Sequence, residues 1–323
     1  MSLAVCLLAY SLVVLVFAPP LLRQVTHEGA VPRLGIAAWL AAMASVLGAW
    51  LAVAVLLVVE LTRSWGHLDE LLAGCFAALR ALAQQGHGGL VRASLAALAT
   101  LTVVAFARLA TRLLATVRHG RVHTRRHAEA AILAARGGRP GPGGSLIVDD
   151  ERRGVYCLAG RPPTIVITRA ALTALNDAQL AAVLAHERAH LHGRHHLLLT
   201  FTGALAKILP GSRLFTEGAA EIARLVEMCA DDVAARRHGG DTVVDALVAL
   251  TLGTPKGAAA PAAALGAAGV GVADRVQRLL FPPNTTRAWF AQTLTVGLLL
   301  LGPIVAAELI MTQSSLCLSA MTT

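Results

Sequence analysis

The sequence predicts a multi-span α-helical membrane protein that also carries one water-facing domain, mainly α (α+β) with a small edge-strand sheet. Three observations predict it. Hydrophobic residues make up 56% of the 323-residue chain and charged residues only 15%, where a soluble domain carries roughly a quarter charged residues. Mean hydropathy is +0.64. The apolar residues gather into four long runs, and the polar ones into one stretch between the third and fourth.

The first run, Ser2 to Leu22, has no basic segment before it and exceeds the apolar core of a secretory signal, so it reads as a retained span. The second, Leu34 to Val59, holds no charged residue. At about 1.5 Å per residue it reaches about 39 Å, enough to cross a bilayer with tilt. The third, Leu90 to Ala107, is shorter, and Arg92 near its start has to snorkel to an interface. The fourth begins at Ala288 and carries Pro303 as a kink site. The expected organisation is three spans within 1–107 (2–22, 34–59 and 90–107), a cytoplasmic domain at 108–287, a fourth span at 288–311 and a short external tail at 312–323.

Charge asymmetry sets the orientation. Arg108, Arg112, Arg118, Arg121, Arg125 and Arg126 follow the third span with no acid among them, whereas the 60–89 loop sets Arg63 and Arg80 against Glu60, Asp69 and Glu70. The positive-inside bias places 108–287 in the cytoplasm of a bacterial-type plasma membrane and the N-terminus outside. It also accounts for the net charge of +9. No nucleic-acid-binding signature accompanies that charge, so the bilayer is the expected partner and nucleic acid is not. The cysteines Cys6, Cys75, Cys157, Cys229 and Cys317 form no C-x-x-C pair, which argues against a disulfide framework or a cysteine metal site.

Within 108–287, RGGRPGPGGS at 136–145 reads as a loop. Leu146-Ile147-Val148 and Thr164-Ile165-Val166-Ile167 read as strands. Asn176 with Gln179 three residues on makes a capping box opening a helix. Gly253 to Ala273, rich in Ala, Gly and Pro, reads as a connector.

That helix runs through LAAVLAHERAHLHGRHH and contains His186-Glu187-Arg188-Ala189-His190. Residues four apart share a helix face, so both imidazoles can reach one metal ion, with Glu187 turned towards a metal-activated water. A catalytic zinc needs a third protein ligand. Glu227, opening an E-x-x-x-D, can supply it, although Glu217 and Glu221 lie upstream on the same expected helix. Asp231, one turn on, can accept the free ring N–H of a ligand histidine. The metal set is then His186, His190 and Glu227 around one Zn2+ per chain, with Glu187 as general base. His192, His195, His196 and His238 could stabilise an oxyanion or bind substrate but read first as polar surface or interface residues, and Cys229 as a small core residue. The strand Thr164, Ile165, Val166, Ile167 reads as an exposed edge on which an extended peptide substrate could pair.

The segments IVITRAALTALNDAQLAAVLAHERAHLHGRHH and EMCADDVAAR, with three spans before the motif and one after, resemble the BlaR/MecR family of membrane metallopeptidases. The resemblance implies a zincin-type fold, ligands at His186, His190 and Glu227, and signal-activated cleavage of a winged-helix, BlaI/MecI-like repressor. About a dozen residues follow the fourth span, in place of the external penicillin-binding sensor domain of the antibiotic-sensing members. The signal is therefore expected to enter through the spans, the 60–89 loop or a partner protein. The same motifs resemble the HtpX and CAAX-type group of membrane proteases, which usually place membrane helices between H-E-x-x-H and the third ligand. Here Leu197 to Ala206 is too short for a span and fits an interfacial or re-entrant segment. A non-proteolytic membrane receptor is the reading from another class.

Overall fold

A computed structural model describes residues 2–65, 88–134, 141–158, 162–252 and 271–302. The fold is mainly helical, with one three-stranded sheet. Helix α1 (Ser2–Thr26) and helix α2 (Pro32–Trp65) form an antiparallel hairpin. Pro32 opens α2, where its missing N–H costs nothing. Gly29 in the turn has φ +59, and a Cβ there would collide with Met228 Sδ.

Three helical segments are long and apolar enough to cross a membrane: Leu3–Thr26, Pro32–Val59 and Thr100–Gly120. The first two coincide with the expected spans. The third lies in helix α3 (Gly88–Ala134), displaced towards the C-terminus from the expected 90–107. The helix does not stop at Ala107, and Arg108, Arg112 and Arg118 continue it. The expected fourth span is described as helix over 285–302, and its remainder and the 312–323 tail lie outside the described residues.

Strand β1 (Leu146–Val148), β2 (Val155–Leu158) and β3 (Thr164–Thr168) lie in the order β1-β3-β2. This corrects the edge reading of Thr164, Ile165, Val166 and Ile167. β3 pairs parallel with β1 (Leu146 opposite Val166) and antiparallel with β2 (Tyr156 opposite Val166), so it is the central strand. The error came from VYCL at 155–158, a third strand with too little β-branching to be noticed. Ile165 and Ile167 enter a core with Leu180, Val183 and Leu184, while Val166 packs with Leu158 on the other face.

Helix α4 (Arg169–Ala174) is capped by the Thr168 hydroxyl and leads into α5 (Asp177–His192). The Asn176–Gln179 capping box opening α5 is formed in both directions, at 2.9 and 3.0 Å. Helix α6 (His195–Ile208) holds the short apolar segment Leu197 to Ala206, and α7 (Arg213–His238) returns antiparallel to it. Helices α8 (Gly240–Thr251) and α9 (Val272–Leu280) follow, and α10 occupies 285–302. Most of the expected connector, 253–270, lies outside the described residues, and its last two positions already belong to α9.

A large core joins α1 and α2 to α7. Leu22, Trp39, Met43 and Val46 pack with Leu214, Phe215, Ile222, Leu225 and Met228 of α7. A Cβ at Gly218 would collide with Met43 Cε and the Trp39 ring, so glycine permits this close approach.

Candidate active site

Helix α5 presents His186 and His190 one turn apart, and α7 crosses it to bring in Glu227. The two imidazole Nε2 atoms are 3.0 Å apart. Glu227 Oε2 lies 3.4 Å from His186 Nε2, and Oε1 3.5 Å from His190 Nε2. These separations are close to the ~3.3 Å edge of a tetrahedron whose corners lie about 2.0 Å from its centre. All three residues are buried, and their ligand atoms lie within 4.8 Å of one another. Donor set and spacing therefore fit a zinc ion, with a fourth corner left for water or substrate. Glu217 and Glu221, the rival acids on α7, are engaged elsewhere: Glu217 with Arg213 and Arg23, Glu221 with Arg224.

Glu187 is fully buried; neither carboxylate oxygen has a hydrogen bond of good geometry, and the thiol and backbone N–H of Cys157 are the polar groups that approach it. Burial pushes its pKa up to about 8; His186 opposes the shift and the charge of Glu227 adds to it. Cys157 on β2 lies near enough that burial and then the Glu187 charge both raise its thiol well above the ordinary range. A buried carboxyl with no ion-pair partner is costly, and its retention beside three converging ligand atoms points to chemistry rather than packing.

His186 Nδ1 donates to Asp231 Oδ1 at 3.0 Å, so a neutral His186 would turn the lone pair of Nε2 towards the candidate metal position. Burial opposes a charge on His186, but the hydrogen bonds to Asp231 and Glu227 outweigh it and raise the group to about 10. Burial lowers His190 to about 3, with the neighbouring His186 charge adding to the effect. For Glu227, burial acts upward and is overcome by the His186 hydrogen bond and charge, giving about 2.

Two residues of this site escaped the sequence reading. Arg275 of α9 is 1% exposed. Its Nε and Nη2 donate to the two oxygens of Asp231 at 2.7 and 2.6 Å, and Nη1 lies 3.3 Å from Glu227 Oε2. It sits 44 residues beyond Asp231, and no spacing rule connects the two. His195, set aside as an ordinary polar residue, places Nδ1 2.9 Å from His190 Nδ1. A signal existed here: His195 follows the motif directly, within one turn of chain reversal at Gly193 and Arg194. His192 bonds only the Arg188 carbonyl of its own helix.

Residues 121–229 match the family model described as peptidase family M48. The match runs from the latter part of α3 through the sheet to both histidines, Glu187 and Glu227, and stops before Asp231 and Arg275. A protein described as Protease HtpX homolog, from Acidiphilium cryptum (strain JF-5), is 33% identical over 81 residues, which are 24% of this chain and 28% of that protein. The chain thus aligns with under a third of that relative's length. No solved structure matches it. These likenesses support an M48-type metallopeptidase region in a chain with candidate membrane helices; they do not single out the BlaR/MecR group.

Proposed function

We propose that this chain is a bilayer-embedded zinc endopeptidase whose site works on polypeptides at the cytoplasmic membrane surface. The carrying observation is Glu187, a buried carboxylate with no ion-pair partner among the described residues, beside the converging His186, His190 and Glu227. Bound at those three residues, zinc would supply Lewis acidity towards water and the scissile carbonyl. With zinc bound, Glu187 would accept the proton of the attacking water and later deliver it to the leaving amine. Asp231 holds His186 in one tautomer, and Arg275 keeps Asp231 ionised and oriented. The outer edge of β2 is the favoured place for an extended substrate: among the described residues β2 pairs only with β3, and Cys157 on β2 adjoins Glu187.

Between the two proteolytic roles, a membrane-protein protease like the HtpX-named relative is preferred to signal-activated cleavage of a winged-helix repressor. The 33% identical stretch supports the former. A non-proteolytic receptor has no use for a buried Glu187 without an ion-pair partner. The test is a comparison of newly formed protein N-termini in cells carrying wild type or Glu187→Gln. Many wild-type-dependent cuts among membrane proteins support the preferred role. One cut in a DNA-binding repressor selects the other, and no cut that depends on Glu187 sinks the protease reading.

A further inference from the structure

A cavity of about 540 Å³ opens between the α1–α2 turn, α7 and the start of α10. Its size falls in the range of small-molecule sites. Arg33 from α2 and Arg236 from α7 line it, and neither makes a hydrogen bond or ion pair among the described residues. The hydroxyl-bearing Thr285 and Thr286 lie at one end, with Trp289 one turn further along α10. The one acid in the lining, Asp232, is already paired with Arg278 at 2.7 Å.

Its position and charge favour one class of occupant. The cavity lies where α1 turns into α2 and where α10 begins, so the ends of three apolar helices meet there. An indole at such a level is characteristic of the membrane interface. The α10 backbone N–H groups of Thr286 and Arg287 are taken by Asn284 Oδ1 at 3.1 and 3.4 Å. Recognition therefore falls to the two guanidiniums and the two hydroxyls, a donor set suited to phosphate oxygens. We propose that this cavity holds the phosphate headgroup of an anionic phospholipid, with Arg33 and Arg236 clamping the phosphate and Trp289 lying against the glycerol and upper acyl chain. The proposal rests on the bilayer reading of α1, α2 and α10 and is independent of whether the chain cleaves peptides.

The test uses the full chain in detergent, titrated with dioleoyl phosphatidylglycerol, dioleoyl phosphatidylcholine or inorganic phosphate. Binding is read by native mass spectrometry and by the thermal midpoint. Wild type is expected to retain one phosphatidylglycerol per chain and to be stabilised by it, with no response to phosphatidylcholine. The Arg33→Gln/Arg236→Gln pair, both exposed and unpaired, should melt as wild type without lipid and bind at least roughly ten-fold more weakly. Arg112→Gln on the exposed face of α3 should bind as wild type. Equal retention by the double variant overturns the proposal, as does stabilisation by inorganic phosphate with no added effect of the lipid.

Discussion

Replacing Arg275 with Met keeps the volume of a buried side chain and removes its charge, leaving Asp231 and Glu227 facing each other across His186. In the native arrangement the guanidinium is 1% exposed, donates twice to Asp231 at 2.7 and 2.6 Å, and lies 3.3 Å from Glu227. Removing one member of a buried ion pair typically costs about 3–5 kcal/mol, because the remaining charge is buried and unmatched. His186 still neutralises part of Asp231, at 3.0 Å, so the lower end of that range applies. At roughly 2–4 °C per kcal/mol for a large domain, the midpoint should fall by about 10 °C. Thermal melting of the chelator-treated chain in detergent measures this directly. Arg275→Lys, which cannot make the forked contact, should lose about half as much. A fall of less than about 2 °C for Arg275→Met would refute the reasoning, since it would mean that Asp231 does not depend on this partner.

Four further outcomes are expected. Glu187→Gln should abolish peptide cleavage while zinc stoichiometry, measured by elemental analysis, is unchanged; loss of the metal would make Glu187 a ligand instead. The same substitution should stabilise the metal-free chain more at pH 8 than at pH 5. The carboxyl pKa is raised by burial to about 8, so its cost is absent below the unfolded pKa of about 4.5 and grows as pH rises towards 8; equal effects at both pH values, in paired melts, would contradict this. His195→Ala should weaken zinc binding about 10–100-fold in chelator competition, because His190 loses the 2.9 Å contact that fixes its ring, with unchanged affinity as the contrary result. Gly218→Ala should destabilise the fold by about 1–3 kcal/mol in denaturant despite alanine's better helix propensity, because its Cβ collides with Met43 and Trp39.

What the sequence made legible was local in the chain. The capping box at Asn176 and Gln179, the two histidines four residues apart, and the E-x-x-x-D spacing of Glu227 and Asp231 are all periodic features of single helices, and such features survive whatever packs around them. What it hid was decided by contacts between distant segments. Whether Thr164 to Ile167 is an edge or a centre depends on a partner at 155–158 whose own pattern is weak. Arg275 belongs to the site only because α9 folds back over α7, and in the sequence it is one of many arginines in a basic chain.

The division into spans at 1–107 and a separate domain at 108–287 illustrates the same limit in its most consequential form. Hydropathy separates segments by what they bury, and Trp39 and Met43 look equally well buried by lipid or by protein. In the structure they are buried by protein: Gly218, Leu214, Phe215 and Leu225 of α7 occupy that face of α2. Helix α7 therefore has two roles along its length. Its first half completes the α1–α2 bundle, and about two and a half turns beyond Gly218 it carries Glu227 to His186 and His190. Arg224, between the two, donates to the carbonyls of Thr26 and His27 at 2.8 and 3.1 Å, tying the end of α1 to the same helix. Arg278 repeats the tie from α9, donating to the Gly29 carbonyl and to Asp232, each at 2.7 Å. Glu227 is thus held in place by α1 and α2 as much as by the helix that carries the histidines. A soluble fragment beginning at residue 108 lacks the groups that bury the first half of α7, and it should not assemble the metal site.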